Sequence, residues 1–152
     1  MTSTERTETE RPGAAADDHG PAYFPFRDHM GFRVGQSTGG GVVTLDVTEE
    51  HMNPHGVVHG AVPFALMDTA MGSAVMDVVE EGQLCATIEI QTRFHRSTRS
   101  GTLRATATVL NAGRSIIHLE ARTVDDLGRL VASATGSFAI LDRKSTDVQA
   151  SP

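Results

Sequence analysis

The sequence predicts an α+β domain in which one long, buried helix is wrapped by a single antiparallel sheet. Three observations predict it. The stretch Gly60 to Val79, G-A-V-P-F-A-L-M-D-T-A-M-G-S-A-V-M-D-V-V, is apolar on nearly every face and rich in Ala, Met and Leu. That is the composition of a core helix. After it the hydrophobic period changes to two across four successive segments. Strands that alternate in this way have one wet face, which marks an antiparallel sheet. The segments are separated by S-T-R-S-G, N-A-G-R and D-D-L-G-R, which read as turns.

Each element follows in chain order. Residues 1–21 contain no Ile, Leu, Val or aromatic residue and carry five acids against two arginines. They cannot bury enough to offset the entropy of ordering, so a disordered tail is expected. Tyr23 to Met30 is short and aromatic and predicts a turn of helix. Gly31 to Gln36 and Val42 to Val47 predict two strands around the turn T-G-G-G. His51 to Gly60 is irregular because Pro54 and Gly56 interrupt it. The helix begins at Gly60, tolerates Pro63 in its first turn and runs about five turns. In T-I-E-I-Q-T-R-F, Ile88, Ile90, Thr92 and Phe94 share one face, with Glu89, Gln91 and Arg93 on the other. Thr102 to Asn111 aligns Leu103, Ala105, Ala107 and Val109. Ser115 to Val124 and Leu130 to Leu141 alternate likewise, the latter through Leu130, Ala132, Ala134, Phe138 and Ile140. Residues 143–152 predict a flexible C-terminal tail. One domain is left, over 22–142.

Composition excludes several classes. The 152 residues are 39% hydrophobic and 21% charged, values that fit one soluble globular domain. No run of 18 apolar residues suggests a membrane span, and residues 1–20 lack the apolar region of a secretory signal. The single cysteine, Cys85, rules out a disulfide framework and predicts a reducing, cytoplasmic home. A net charge of −6 without a Lys/Arg cluster argues against nucleic acid as a partner. His51, His55 and His59 recur every four residues and invite a metal. Pro54 and Gly56 break any helix there, however, and no H-E-x-x-H is present, so neither metal nor cofactor is expected.

One residue stands apart from this pattern. Asp68 is the only ionisable residue between Gly60 and Met76. It either lies on a wet stripe, bonded to a nearby group, or is a carboxylate held in an apolar cleft for catalysis, because burial without a partner is expensive. The start of the helix favours the second reading. The amides of Gly60 and Ala61 are expected to point out unpaired at the positive end of the helix dipole, a place for an anion or a developing oxyanion. Gly60 has no side chain to obstruct a ligand. Yet Gly60 and Asp68 are separated by eight residues, about 12 Å of helix at 1.5 Å per residue. One helix cannot bring both to one carbonyl. Two antiparallel copies can, so two catalytic groups on this helix predict a dimer with shared sites.

The segment H-M-N-P-H-G-V-V-H-G-A-V-P-F-A-L-M-D, His51 to Asp68, resembles the signature of the PaaI-like hotdog-fold thioesterases. Asn53, Gly56, His59, Gly60 and Asp68 match it by position. The resemblance continues through T-I-E-I-Q-T-R-F-H-R-S and the last two strands, and covers about Phe26 to Leu141. It implies a hotdog fold, dimers often paired into tetramers, and hydrolysis of an aryl- or acyl-CoA thioester to free acid and CoA. It further implies that the Gly60 amide polarises the thioester carbonyl. Asp68 of the opposite subunit would act as nucleophile or as general base, Asn53 would support the carbonyl or the water, and Thr87 would orient the water. His59 is expected to shape the helix start by a hydrogen bond. Two departures stand out: Ala61 replaces the usual second glycine, and Gly72 stands where some relatives carry Ser or Thr.

Substrate contacts are expected from Gly56, Ala61, Phe64, Met67 and Met71 around the acyl group. His95, Arg96, Arg99 and Arg114 are expected near the CoA phosphates, where cations are needed. Two other readings remain at this stage: a hotdog dehydratase or hydratase pairing His59 with Asp68, and an acyl-CoA-binding domain without catalysis. The sequence leaves the acyl group open, as it does CoA against acyl carrier protein.

Overall fold

The structure is a computed structural model, and it describes residues 24–35 and 40–143. The tail expected over 1–21, and all but Arg143 of the tail expected over 143–152, fall outside the described residues. The elements are a short helix α1 (Pro25–Met30), strands β1 (Arg33–Gly35) and β2 (Gly40–Asp46), a 3-10 turn at Glu49–His51 and the long helix α2 (Ala61–Met76). Strands β3 (Gln83–Phe94), β4 (Thr102–Ala112), β5 (Ile116–Val124) and β6 (Leu130–Asp142) follow. All six strands form one sheet in the order β1-β2-β4-β5-β6-β3, with every neighbour antiparallel. The sheet curves around α2, the arrangement the resemblance implies.

The inner face of the sheet and α2 make the core. Leu103, Ala105 and Ala107 of β4 and Ile117, Leu119 and Ala121 of β5 are buried, while the residues between them face outward. From the helix, Leu66, Met67, Ala70, Met71, Ala74 and Val75 fill the space against Val43, Leu45 and Phe138. Small residues let the helix lie close. A Cβ at Gly41 would collide with the carbonyl oxygen of Ala70, so only glycine permits the backbone of β2 to pass there.

Several boundaries differ from the sequence reading. Gly40 and Gly41 belong to β2 rather than to a turn; a Cβ at Gly40 would meet the Ala107 carbonyl of β4, and one at Gly41 the Ala70 carbonyl of α2. The helix has 16 residues and stops at Met76, short of Val79. The amide of Arg143 donates to the Gly82 carbonyl at 3.0 Å.

The largest difference lies in β3. Thr87 pairs with Phe138 and Glu89 with Ser137, which leaves Ile88 as the extra residue of a β-bulge. Ile88 is therefore 55% exposed and does not share the buried face with Ile90. Phe94, at the end of the strand, is 57% exposed and is no core residue either. Strict alternation would have put Thr87 outside with Glu89. The bulge turns it inward, toward α2.

The turn after β5 is held by Asp125, which is buried and accepts bonds from the amides of Leu127 (3.1 Å) and Arg129 (2.9 Å) and from the Arg129 guanidinium (2.7 Å). Burial alone would raise the Asp125 carboxyl. The Arg129 amide and guanidinium and the Leu127 amide outweigh it and hold the carboxyl below the usual range.

Candidate active site

Two cavities open along α2, one beside Asp68 and one beside Gly60. Asp68 sits midway along the helix and is half-buried. The hydroxyl of Thr87 donates to its Oδ1 at 2.8 Å. This bond exists because the bulge at Ile88 turns Thr87 to the helix side. Asp68 and Thr87 open into a cavity of about 510 Å³, together with Thr69, Gly72, Ser73 and Met76 of α2, Cys85 of β3 and Phe138 of β6. The opposite wall comes from Phe24, Phe26 and Arg27 at α1 and from Val34 of β1. Cys85 lies half-buried with its Sγ 3.9 Å from the Gly72 carbonyl. Burial pushes its thiol pKa up, and the nearby Asp68 carboxylate pushes in the same direction.

The second cavity, about 320 Å³, is lined by Val58, Gly60, Pro63, Phe94, His95, Arg96, Ser97, Thr98 and Val131. The Gly60 amide donates to no acceptor among the described residues. The Ala61 amide does have a partner: it donates to Nδ1 of His59 at 3.0 Å. This corrects the expectation of two free amides, because a His two residues before the helix can take the amide of its first residue. The same bond folds the His59 ring back over the start of the helix.

The loop leading to Gly60 is built by Asn53. Its side-chain oxygen accepts from the amides of His55 (2.9 Å) and Val57 (3.4 Å), and Gly56 turns with φ of 68°. The Gly56 carbonyl accepts a bond from Arg99 at 3.0 Å. His51 is buried; its Nδ1 accepts from the Thr48 amide (2.9 Å), and its Nε2 donates to the Met30 carbonyl (3.2 Å). That bond ties the 3-10 turn to the end of α1.

Other expected residues are dispersed. Met67 and Met71 are wholly buried in the core, and Phe64 lines neither cavity, so none of the three walls the Asp68 chamber. An all-apolar helix gives no sequence signal to separate core from pocket. Arg96 and His95 do lie by Gly60, with His95 Nε2 2.8 Å from Ser133 Oγ. Arg114 belongs to the β4–β5 hairpin, at the other end of the sheet. The residues sequence reasoning missed were partly legible. Gly72, Ser73 and Met76 follow Asp68 at helical spacing, and Cys85 shares a face with Thr87. Phe24, Phe26 and Val34 carry no such signal, since only folding brings them there.

A carboxylate bonded to a hydroxyl in an apolar chamber, on a helix preceded by the open Gly60 amide, is a set of groups suited to hydrolysis of an activated acyl group. The chain belongs to the thioesterase superfamily, whose family profile matches residues 55–132, just over half of the chain. It is 26% identical over 111 residues to the 1,4-dihydroxy-2-naphthoyl-CoA hydrolase of Listeria monocytogenes, a match covering 73% of this chain and 90% of that one. It is 31% identical over 88 residues to the proofreading thioesterase EntH of Klebsiella pneumoniae, covering 58% and 64%. Among solved structures, thioesterase HI1161 of Haemophilus influenzae superposes with a TM-score of 0.75 at 26% identity, over 78% of this chain and 83% of that one. The chain is a thioester hydrolase.

Proposed function

We propose that this protein hydrolyses acyl-CoA thioesters in active sites shared between two copies of the chain. The single observation that carries the reading is the Asp68 carboxylate, held by Thr87 at 2.8 Å in an apolar chamber. The acyl group enters that chamber. The Gly60 amide of the second copy donates to the thioester carbonyl, and the helix dipole meets the negative charge as the tetrahedral intermediate forms. Asp68 takes a proton from water, which attacks the carbonyl carbon. The C–S bond then breaks and the thiolate leaves as CoA. Arg96, beside Gly60, supplies a cation toward the CoA phosphates. A lone free cysteine suits a reducing compartment such as the cytoplasm.

The edge strand supports the shared site. β3 is 12 residues long, lies at the edge of the sheet and exposes Ile88 and Phe94. A long, apolar, unprotected edge is a template for pairing. The register follows from the two cavities. A Cβ at Gly60 would touch the Phe94 ring at 3.4 Å, and Asp68 bonds Thr87. For Gly60 to face the partner's Asp68, Phe94 must lie opposite the partner's Thr87. The two-fold axis then falls between Ile90 and Gln91, with both helices on one side of a continuous sheet. Two such dimers can pair further into a tetramer.

The catalytic reading is tested by Asp68→Asn, expected to reduce turnover by at least ~10²-fold; near-normal turnover refutes it. Single-turnover hydrolysis in ¹⁸O-water should leave Asp68 unlabelled, and label in Asp68 would reassign it as nucleophile. The dimer is tested by Ile88→Lys. Sedimentation should shift toward monomer and turnover should fall with it. A fully active monomer refutes the shared site.

A further inference from the structure

We propose that α1 is the specificity element of this thioesterase, with Phe24 and Phe26 forming a wall that receives the ring of an aromatic acyl group while Asp68 works at its carbonyl. The inference rests on the reading of Asp68 as the catalytic carboxylate.

Helix α1 buries no residue of its own in the core. Two large aromatics sit on or beside it nonetheless, Phe24 at 39% and Phe26 at 49% exposure, and both line the chamber that holds Asp68. Apolar side chains left accessible around a concave site mark a ligand surface. Both rings are held in place. Phe26 meets the core residue Phe32 edge-to-face, with centroids 6.1 Å apart and planes at 89°, and the Arg27 guanidinium lies 5.7 Å over the Phe24 ring. The helix itself is anchored by the left-handed Gly31 and by the bond from His51 to the Met30 carbonyl.

The ring of Phe138 lines the same chamber. A Cβ at Gly72 would find only Phe138 Cε1, at 3.9 Å, so the floor beside it is open. Three aromatic rings around an open slot favour a planar ring, which they can stack or meet edge-on. The volume of about 510 Å³ is in the range that holds drug-sized ligands and far exceeds what a two-carbon acyl group fills.

The test compares kcat/KM for phenylacetyl-CoA, decanoyl-CoA and acetyl-CoA in the wild type, Phe26→Ala, Phe26→Tyr and Asp68→Asn. The wild type should prefer phenylacetyl-CoA. Phe26→Ala should lower that value about tenfold more than it lowers the value for acetyl-CoA, and Phe26→Tyr should restore the preference. A wild-type preference for decanoyl-CoA, an equal change for all three substrates, or no change for any overturns the proposal. If Phe26→Ala fails to fold by circular dichroism, Phe24→Ala serves in its place. If no substrate is hydrolysed in an Asp68-dependent manner, the catalytic reading falls and the selector with it. Asp68-dependent hydrolysis with unchanged selectivity removes the selector alone.

Discussion

Replacing Thr87 by Val removes one hydroxyl and keeps the shape of the side chain. The bond that is lost is 2.8 Å long and has a charged acceptor. Hydrogen bonds to charged groups are worth about 1.5–3 kcal/mol. Thr87 is exposed and Asp68 only half-buried, so water competes and the lower end applies. At about 1.4 kcal/mol per tenfold, the expected loss in kcat is about tenfold. Thr87→Ser, which keeps the donor, should recover most of it. The decisive assay is a double-mutant cycle under steady-state turnover. Thr87 acts through Asp68, so Thr87→Val should add almost nothing to Asp68→Asn. Fully multiplicative losses would mean that the hydroxyl works on the substrate or water independently, and unchanged turnover in Thr87→Val would mean that the bond is idle. Either result refutes the role assigned to it.

Three further outcomes follow from the geometry. Gly41→Ala sets a methyl against the Ala70 carbonyl, and backbone cannot yield cheaply. A loss of about 3 kcal/mol or more is expected, seen as a fall in Tm of roughly 6–12 °C; an unchanged Tm contradicts the close helix–sheet passage. The Cys85 thiol, raised chiefly by burial and next by Asp68, should react slowly with iodoacetamide at pH 8. Because its folded pKa is raised, the associated stability is full below the ordinary thiol value and is lost as pH climbs through the folded one. Asp125 is the opposite case. Its lowered carboxyl contributes stability that is present above the ordinary carboxylate pKa of about 3.9 and is lost as pH falls below it. Asp125→Asn should flatten the acid limb of Tm against pH, and an unaltered limb would deny the turn its charge.

How far the site could be read ahead of the fold is clearest at Asp68 and Thr87. Asp68 announced itself as a lone acid in an apolar helix, and the eight-residue spacing from Gly60 calls for a second helix if both groups act on one carbonyl. Thr87 could be named only through the family resemblance, because simple alternation puts it on the wrong face. Ala61 failed as a free donor because the reading of a helix start counts backbone amides and does not see a histidine ring folding back to take one.

The sequence by itself determined what local chemistry and periodicity can encode: a helix apolar all round, four alternating strands, and an acid placed where no acid is needed for folding. Tertiary structure alone decided which apolar side chains became core and which became chamber wall. Met67 and Met71 went to the core, while Phe24, Phe26 and Val34 reached the Asp68 chamber. The reason is physical. Hydrophobic burial is non-directional and assigns a residue only to the inside, whereas the address within that inside is set by close packing. Here that packing is set by a glycine that admits the helix and a bulge that turns one strand.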